Sequence, residues 1–164
     1  MQRYRMSMVA AVAGLLCAGA GTLQAQRVVA NVTIDGIGVL KASSISFGVS
    51  NSGASRVGGG GGIGKASMTD LKITRDAGQY SGAIFQHVAA GTHLRRVTVE
   101  MLSPAGTTIT LGDVVITSDH YATNSAGQTE ETVALDYAKI EFDTKGEGKL
   151  GWDVKANAKA AGSP

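Results

Sequence analysis

The chain has 164 residues, of which 43% are hydrophobic and 17% are charged; these values exclude a largely disordered protein and predict one globular domain. The 15 Lys and Arg residues exceed the 13 Asp and Glu residues by only two. The 23 glycines and the low aromatic content of 5% predict short elements separated by many turns.

The first 25 residues have the pattern of a secretory signal peptide. Arg3 and Arg5 precede the apolar run MVAAVAGLLCAGAG, and Leu23-Gln24-Ala25 approximates a small-residue cleavage site. The apolar run is too short and too rich in Ala and Gly to favour a membrane anchor. We therefore expect cleavage after Ala25 and a secreted or periplasmic protein that has no membrane association once the signal is removed.

Cleavage would change the charge and the redox chemistry of the chain. Without Arg3 and Arg5, 13 basic residues would remain against 13 acidic ones, so the electrostatic argument for a nucleic-acid partner disappears. Cys17, the single cysteine, would also leave, so the mature chain could form no disulfide. Its stability must then come from a core, from oligomerisation, or from both.

The first half of the remaining chain contains three predicted strands and one helix. β-branched residues or apolar–polar alternation predict strands at residues 27–34, 43–49 and 66–75. Residues 79–90 have helical spacing instead, with Asp76 or Ser81 as a possible cap at the start and Gly91 as the end.

The second half is predicted to be entirely strands and turns. Residues 93–102 and 107–117 should form a hairpin, and a loop at 121–129 precedes a long strand at 131–144. The turn KGEGK and a last strand, LGWDVKAN, follow. Mostly antiparallel strands with one helix are typical of a β-sandwich or a small barrel. We take residues 26–159 as this domain and 160–164 as a disordered tail.

The run VGGGGGIGKA approaches a phosphate-binding loop but lacks two of its requirements. Gly59, Gly64 and Lys65 have the correct spacing, whereas Ala66 replaces the hydroxyl residue that would hold a magnesium ion. A strand pattern follows, although the motif needs a helix whose N-terminal N–H groups face the phosphate. Nucleotide binding is therefore not predicted, and no cofactor is expected.

A contact between subunits is the functional interpretation that we favour for this segment, and simple disorder remains open as the alternative. Residues 51–64 are too many for an ordinary hairpin turn, and ordered glycines lose much backbone entropy. A partner surface could offset that loss. The candidate contact residues are Ser52, Gly53, Val57, Gly58, Gly59, Gly60, Gly61, Gly62, Gly64 and Lys65.

No set of residues predicts catalysis or metal binding. Ser118, Asp119 and His120 are adjacent in sequence, whereas catalytic triads are assembled in space, and neighbours in a strand point to opposite faces. The pair Glu130-Glu131 reads as a solvated strand edge. The histidines His87, His93 and His120 lack metal-ligand spacing, and Asp136, Glu141 and Asp143 are not paired as acid and base. We therefore predict that the protein is not an enzyme.

The order of these features resembles the haemolysin-coregulated protein (Hcp) family, the tube proteins of type VI secretion. The stretches that carry the resemblance are SISFGVSNSG, RVGGGGGIGKASMTDLKITR, AAGTHLRRVTVEML, TEETVALDYAKIEFDT and GWDVKAN. Together they extend over residues 27–159, nearly the whole mature chain.

The resemblance implies a mainly β fold, an Hcp-like barrel of two antiparallel sheets with one short flanking α-helix. It also implies a homo-hexamer whose rings stack into a hollow tube and hold small secreted cargo proteins in the lumen. In this family the extended loop, here residues 51–65, packs on neighbouring subunits. A secretory signal departs from the family pattern and leaves membership of a contractile secretion machine open. The alternative is a monomeric secreted or periplasmic β-barrel that acts as a binding module.

Overall fold

The computed structural model describes residues 27–51, 65–102 and 105–160. Residues 1–26, which include the predicted signal peptide, and residues 52–64, 103–104 and 161–164 lie outside this range. Within the described residues the chain forms eleven strands and one helix: β1 Ala30–Ile34, β2 Gly38–Ala42, β3 Ser44–Ser46, β4 Val49–Asn51, β5 Ala66–Met68, β6 Leu71–Asp76, α1 Ser81–Ala90, β7 His93–Leu102, β8 Ala105–Thr123, β9 Thr129–Thr144, β10 Gly148–Asp153 and β11 Ala158–Lys159.

Two long strands, β8 and β9, organise the larger sheet. β9 pairs with β8 along one edge from Thr129 to Thr144. Its other edge is divided, because β6 pairs with the first part and β10 with the second. Strands β7, β1 and β2 extend the sheet beyond β8, and every ladder is antiparallel. β4 and β5 form a separate two-stranded sheet.

Ser43 marks the corner at which the larger sheet folds back on itself. β2 ends at Ala42 and pairs with β1, whereas β3 begins at Ser44 and pairs with β6. The Ser43 N–H donates to the Thr74 carbonyl at 2.8 Å, and its hydroxyl donates to the same oxygen at 3.0 Å. In the described residues no strand pairing joins β2 to β3, so the sheet does not close into a barrel by backbone hydrogen bonds. These two strands nevertheless follow each other in the chain. The prediction of a mainly β fold with two antiparallel sheets and one short helix is confirmed.

The core lies between the inward faces of this bent sheet. Alternate residues of each strand point inward, as the period of an extended chain requires. The buried side chains are aliphatic for the most part, including Val32, Ile34, Leu40, Leu71, Ile73, Val97, Val99, Leu111, Ile116 and Leu135. Full burial of one such side chain stabilises the fold by about 1.5–3 kcal/mol.

The helix is attached to the sheet mainly through one residue, Ile84, the one residue of α1 that is buried. Its end at Gly91 was predicted and is confirmed, since Gly91 adopts a left-handed conformation with φ 60°. The predicted caps, Asp76 or Ser81, are wrong. Tyr80 occupies the N-cap with φ 73° and gives no side-chain hydrogen bond. In the described part of the chain, no helix has the length and apolar character needed to cross a membrane.

Four strand predictions need correction. The predicted strand at residues 66–75 is divided into β5 and β6, which belong to different sheets. β2 was not predicted, although Leu40 and Ala42 are fully buried. The predicted strand at residues 43–49 is divided into β3 and the start of β4, so that Phe47 lies between them. β8 extends into the predicted loop at residues 121–129 and ends at Thr123.

Candidate subunit-contact site

The glycine-rich segment begins and ends at the small β4–β5 sheet. Asn51, the last residue of β4, pairs with Ala66, the first residue of β5. Of the ten predicted contact residues, Lys65 is described; it is exposed and directly precedes β5. The other nine, from Ser52 to Gly64, lie outside the described residues. What the structure shows is therefore the base from which this segment extends.

Backbone and hydroxyl groups fix this small sheet at its inner end. The Gly48 N–H donates to the Thr69 hydroxyl at 2.8 Å, and the Thr69 N–H donates to the Gly48 carbonyl at 3.0 Å. These two residues close the hairpin just before β4 and just after β5. An isolated two-stranded sheet is marginally stable in water. Its attachment to the larger sheet at this end comes from Tyr137 of β9, whose hydroxyl donates to the Thr69 carbonyl at 3.2 Å.

A second attachment comes from the C-terminal part of the chain. Asn157 lies in the turn between β10 and β11, and its Oδ1 accepts the backbone N–H of Ala66 at 3.0 Å. Asn157 adopts φ 51°, a left-handed conformation that asparagine tolerates better than most residues. The strand that follows the glycine-rich segment is thus held by the end of the domain.

An apolar groove of about 310 Å³ lies against this sheet. We call its lining the loop base: Val49, Ser50, Asn51, Ala66, Met68 and Trp152. Val49 is 66% exposed, and all three residues of β4 are exposed. Exposed apolar surface of this kind is typical of a protein–protein contact.

Apolar surface continues from the loop base along β10. Leu150 lies two residues before Trp152, hence on the same face of the strand, and is 52% exposed. Leu150 pairs with Phe142 of β9, whose ring centroid is 5.7 Å from that of Phe47. Phe47 is itself 38% exposed. The groove and this extension together form an uncovered apolar face.

A polar cluster lies near the turn that joins β8 to β9, at the end of this hairpin away from β10. We call it the Tyr121 cluster, and it consists of Arg75, Ser81, Asp119, Tyr121 and Glu131. Its centre is an ion pair in which Arg75 Nε lies 2.5 Å from Glu131 Oε2, and Glu131 is fully buried. The prediction that Glu130-Glu131 is a solvated edge is therefore wrong for Glu131, whereas Glu130 is exposed.

A bulge in β8 places two members of this cluster on the face of Glu131, although Tyr121 remains 47% exposed. The β8–β9 register shifts by one residue between Ile116 and Ser118, so that the intervening Thr117 has no partner in the ladder. A one-residue shift moves every later side chain to the other face. Asp119 and Tyr121 consequently share the face of Glu131, which pairs directly with Tyr121.

Burial alters the acidity of two groups in the cluster. Loss of solvation, followed by hydrogen bonds to Asp119 and Glu131, raises the pKa of the Tyr121 hydroxyl well above its usual range. Loss of solvation also raises the pKa of the Asp119 carboxyl, although the Tyr121 hydrogen bond opposes the shift. A phenol with a raised pKa is a poor nucleophile. The Ser81 hydroxyl donates to the carboxylate of Glu131, which is buried and already paired with Arg75.

The histidines and the Ser118-Asp119-His120 run are not brought together as a reactive set. His87 Nδ1 lies 2.8 Å from the Ala83 carbonyl, and His93 Nδ1 lies 2.9 Å from Asp113 Oδ1. His120 is exposed on β8. Among the residues that the structure describes, no group of three or more His, Cys, Asp or Glu side chains could hold a metal ion.

Comparison with known proteins gives one family and many similar folds. A family model described as "Type VI secretion system effector, Hcp" matches residues 35–143. The crystal structure of Hcp1 from Salmonella typhimurium is 20% identical, with a TM-score of 0.67 over 80% of this chain and 98% of that one.

Two further structures agree with this likeness. A type six secretion system protein has a TM-score of 0.72 at 17% identity, over 82% of this chain and 100% of that one. A type VI secretion system effector from Yersinia pestis has a TM-score of 0.63 at 18% identity, over 76% and 99%. At these identities the likeness shows a shared fold. No curated protein sequence matches the chain.

Proposed function

This chain belongs to the Hcp family of type VI secretion, and from that premise we propose that it is a structural subunit which assembles with its own copies into hexameric rings. The rings stack into a tube, and their lumen holds small cargo proteins. The subunit performs no catalysis and requires no cofactor. After removal of residues 1–25 it acts in the periplasm or outside the cell.

The observation that carries this proposal is the uncovered apolar face around the loop base. All three residues of β4 are exposed, and the groove beside them is lined by Val49, Met68 and Trp152. A small sheet with one apolar side in water gains stability when another protein surface covers it. A second copy is the partner that suits a family of self-assembling proteins.

The attachments of the loop base support the same role. Asn157 and Thr69 hold the β4–β5 sheet from two sides, so the glycine-rich segment extends from a fixed platform. A fixed platform lowers the entropy that ordering the segment against a neighbour would cost. Residues without side chains also let one backbone lie close to another. We therefore assign residues 52–65 to the contact between neighbouring subunits.

A matched pair of surface variants tests this assignment. Val49→Asp places a charge in the loop base, whereas Val39→Asp places one on β2, where Val39 is 53% exposed. We expect the mature chain to form hexamers by light scattering, and Val49→Asp to shift them toward monomers at least tenfold more than Val39→Asp. Equal effects would contradict the role of the loop base. A wild-type monomer at high concentration would instead favour the monomeric binding module.

A further inference from the structure

The Tyr121 cluster holds fewer hydrogen atoms than its contacts require. The Tyr121 hydroxyl oxygen lies 2.8 Å from Asp119 Oδ2 and 3.0 Å from Glu131 Oε1. A phenol carries one hydrogen, and ionised carboxylates carry none. With both acids ionised, the hydroxyl could bond to only one of them, and the other carboxylate oxygen would face an oxygen lone pair at hydrogen-bond distance.

Glu131 is the acid whose negative charge is compensated. Its Oε2 receives Arg75 Nε at 2.5 Å and the Ser81 hydroxyl at 3.0 Å. The Ser81 oxygen itself accepts bonds from Arg75 Nη2 at 2.9 Å and from the Gly78 N–H at 3.0 Å. The hydrogen of Ser81 is thus available only to Glu131.

Asp119 lacks comparable support. Its Oδ2 contacts Tyr121, and its Oδ1 is buried without a hydrogen-bond partner among the described residues. The ionisable and charged groups that act on it are Tyr121 on β8, Glu131 on β9 and Arg75 on β6, while α1 contributes to the cluster only the uncharged Ser81. Glu131 disfavours ionisation of Asp119, and Arg75, already paired with Glu131, compensates only weakly.

We propose that Asp119 keeps its proton to a higher pH in the folded protein than in the unfolded chain, and that the protonated carboxyl donates to the Tyr121 oxygen, which in turn donates to Glu131. The hydrogen-bond chain Asp119–Tyr121–Glu131 is complete only in this form. When Asp119 loses its proton, two carboxylates of like charge share one phenol, and the chain opens at one of its two contacts. The cluster is therefore a latch that closes with protonation and loosens as the pH rises.

The latch joins the hairpin end to the start of the helix. Ser81 is the first residue of α1, and Arg75 Nη2 also donates to the Gln79 carbonyl at 2.8 Å. The helix has no side-chain cap of its own, and the preceding Tyr80 has a left-handed backbone. Opening of the latch is thus expected to loosen the first turn of α1 and residues 119–131 before it affects the rest of the sheet.

The sign of the pH effect follows from the direction of the Asp119 shift. Because the pKa of Asp119 is higher in the folded state than the ordinary value of 3.8, the folded protein retains a proton that the unfolded chain releases. The stabilisation is complete below the unfolded value and is lost as the pH rises through the folded value. At a pH above both values, each unit by which the folded pKa of Asp119 exceeds the unfolded pKa lowers the folding equilibrium constant about tenfold, relative to its value at low pH.

Denaturant unfolding of the mature chain tests the proposal when it is measured from below pH 3.8 to above the pH at which folded Asp119 loses its proton. Asp119→Asn supplies an N–H donor to Tyr121 at every pH, so we expect the wild type to lose stability relative to this variant as the pH rises. Asp35→Asn is the control, because Asp35 and its partner Arg95 are both exposed. Parallel curves for the wild type and Asp119→Asn would overturn the proposal.

A second measurement does not depend on a variant that folds. The carboxyl carbon of Asp119, assigned by NMR in the wild-type protein, should titrate above the ordinary value for aspartate. Titration at or below 3.8 would overturn the proposal whatever the unfolding curves show.

Discussion

The side chain of Asn157 bonds to the backbone of Ala66 across 91 positions of sequence, at a distance of 3.0 Å. Ala66 is the first residue of β5, the strand that follows the glycine-rich segment, and Asn157 lies in the turn between β10 and β11. One bond therefore couples the platform of the proposed subunit contact to the C-terminal hairpin.

Replacement of Asn157 should loosen this platform. Asn157→Gly keeps the left-handed backbone but removes the acceptor, and loss of such a bond costs about 0.5–1.5 kcal/mol. We expect faster trypsin cleavage at Lys65 and weaker assembly, with little change in the secondary structure measured by circular dichroism. Asn157→Asp retains an acceptor oxygen and should stay close to wild type; equal sensitivity of both variants would contradict the role of this bond.

Breaking the buried ion pair should be far more costly than changing its exposed neighbour. Glu131→Gln leaves the Arg75 guanidinium buried beside a neutral group, and such a loss costs about 3–5 kcal/mol. Glu130→Gln alters an exposed side chain one residue earlier and should cost about 0.5 kcal/mol or less. Denaturant unfolding measures both, and similar values would show that the pair does not hold this part of the sheet.

Two glycines with different surroundings should respond oppositely to alanine. A Cβ at Gly38 would lie 2.5 Å from Cζ of Tyr80, and Gly38 has φ 142°, so Gly38→Ala should destabilise the fold by about 1–3 kcal/mol. A Cβ at Gly82, within α1, would meet nothing within 4 Å, and Gly82→Ala should stabilise the protein by about 0.4–1 kcal/mol. Thermal unfolding measures both effects. A lower midpoint for Gly82→Ala, or an unchanged midpoint for Gly38→Ala, would contradict this packing.

Shortening the glycine run should separate assembly from folding. Deletion of Gly58 to Gly62 removes five residues between β4 and β5 without changing either strand or the attachments at Thr69 and Asn157. We expect a smaller assembled fraction by sedimentation at an unchanged unfolding midpoint of the monomer. If folding and assembly decline together, the segment contributes to the domain rather than to its contacts.

Elements with a regular pattern could be predicted from the sequence. The apolar residues Leu94, Val97 and Val99, interspersed with charged and polar ones, gave β7 with the bounds that the structure has. The helix end at Gly91 was likewise encoded locally, because glycine tolerates its left-handed backbone. β2 was missed since its glycine and the preceding turn residues look like a loop, and its burial depends on β1 and β6.

The polar cluster could not be predicted in the same way. Glu131 stands beside a second glutamate, a pattern typical of a solvated edge, and its partner Arg75 is 56 residues away. The position of Asp119 depends on the bulge at Thr117, whose hydroxyl donates at 2.7 Å to Asp70 in the connection between β5 and β6. Such long-range geometry leaves no local signal in the sequence.

The most direct test of the central claim, that the mature chain assembles with itself, is electron microscopy of the purified protein combined with its mass in solution. Residues 26–164 should appear as six-fold rings, with the mass of one hexamer for single rings or of a whole multiple of it for stacks. Particles of monomer size at every concentration, with no ring among them, would contradict the account.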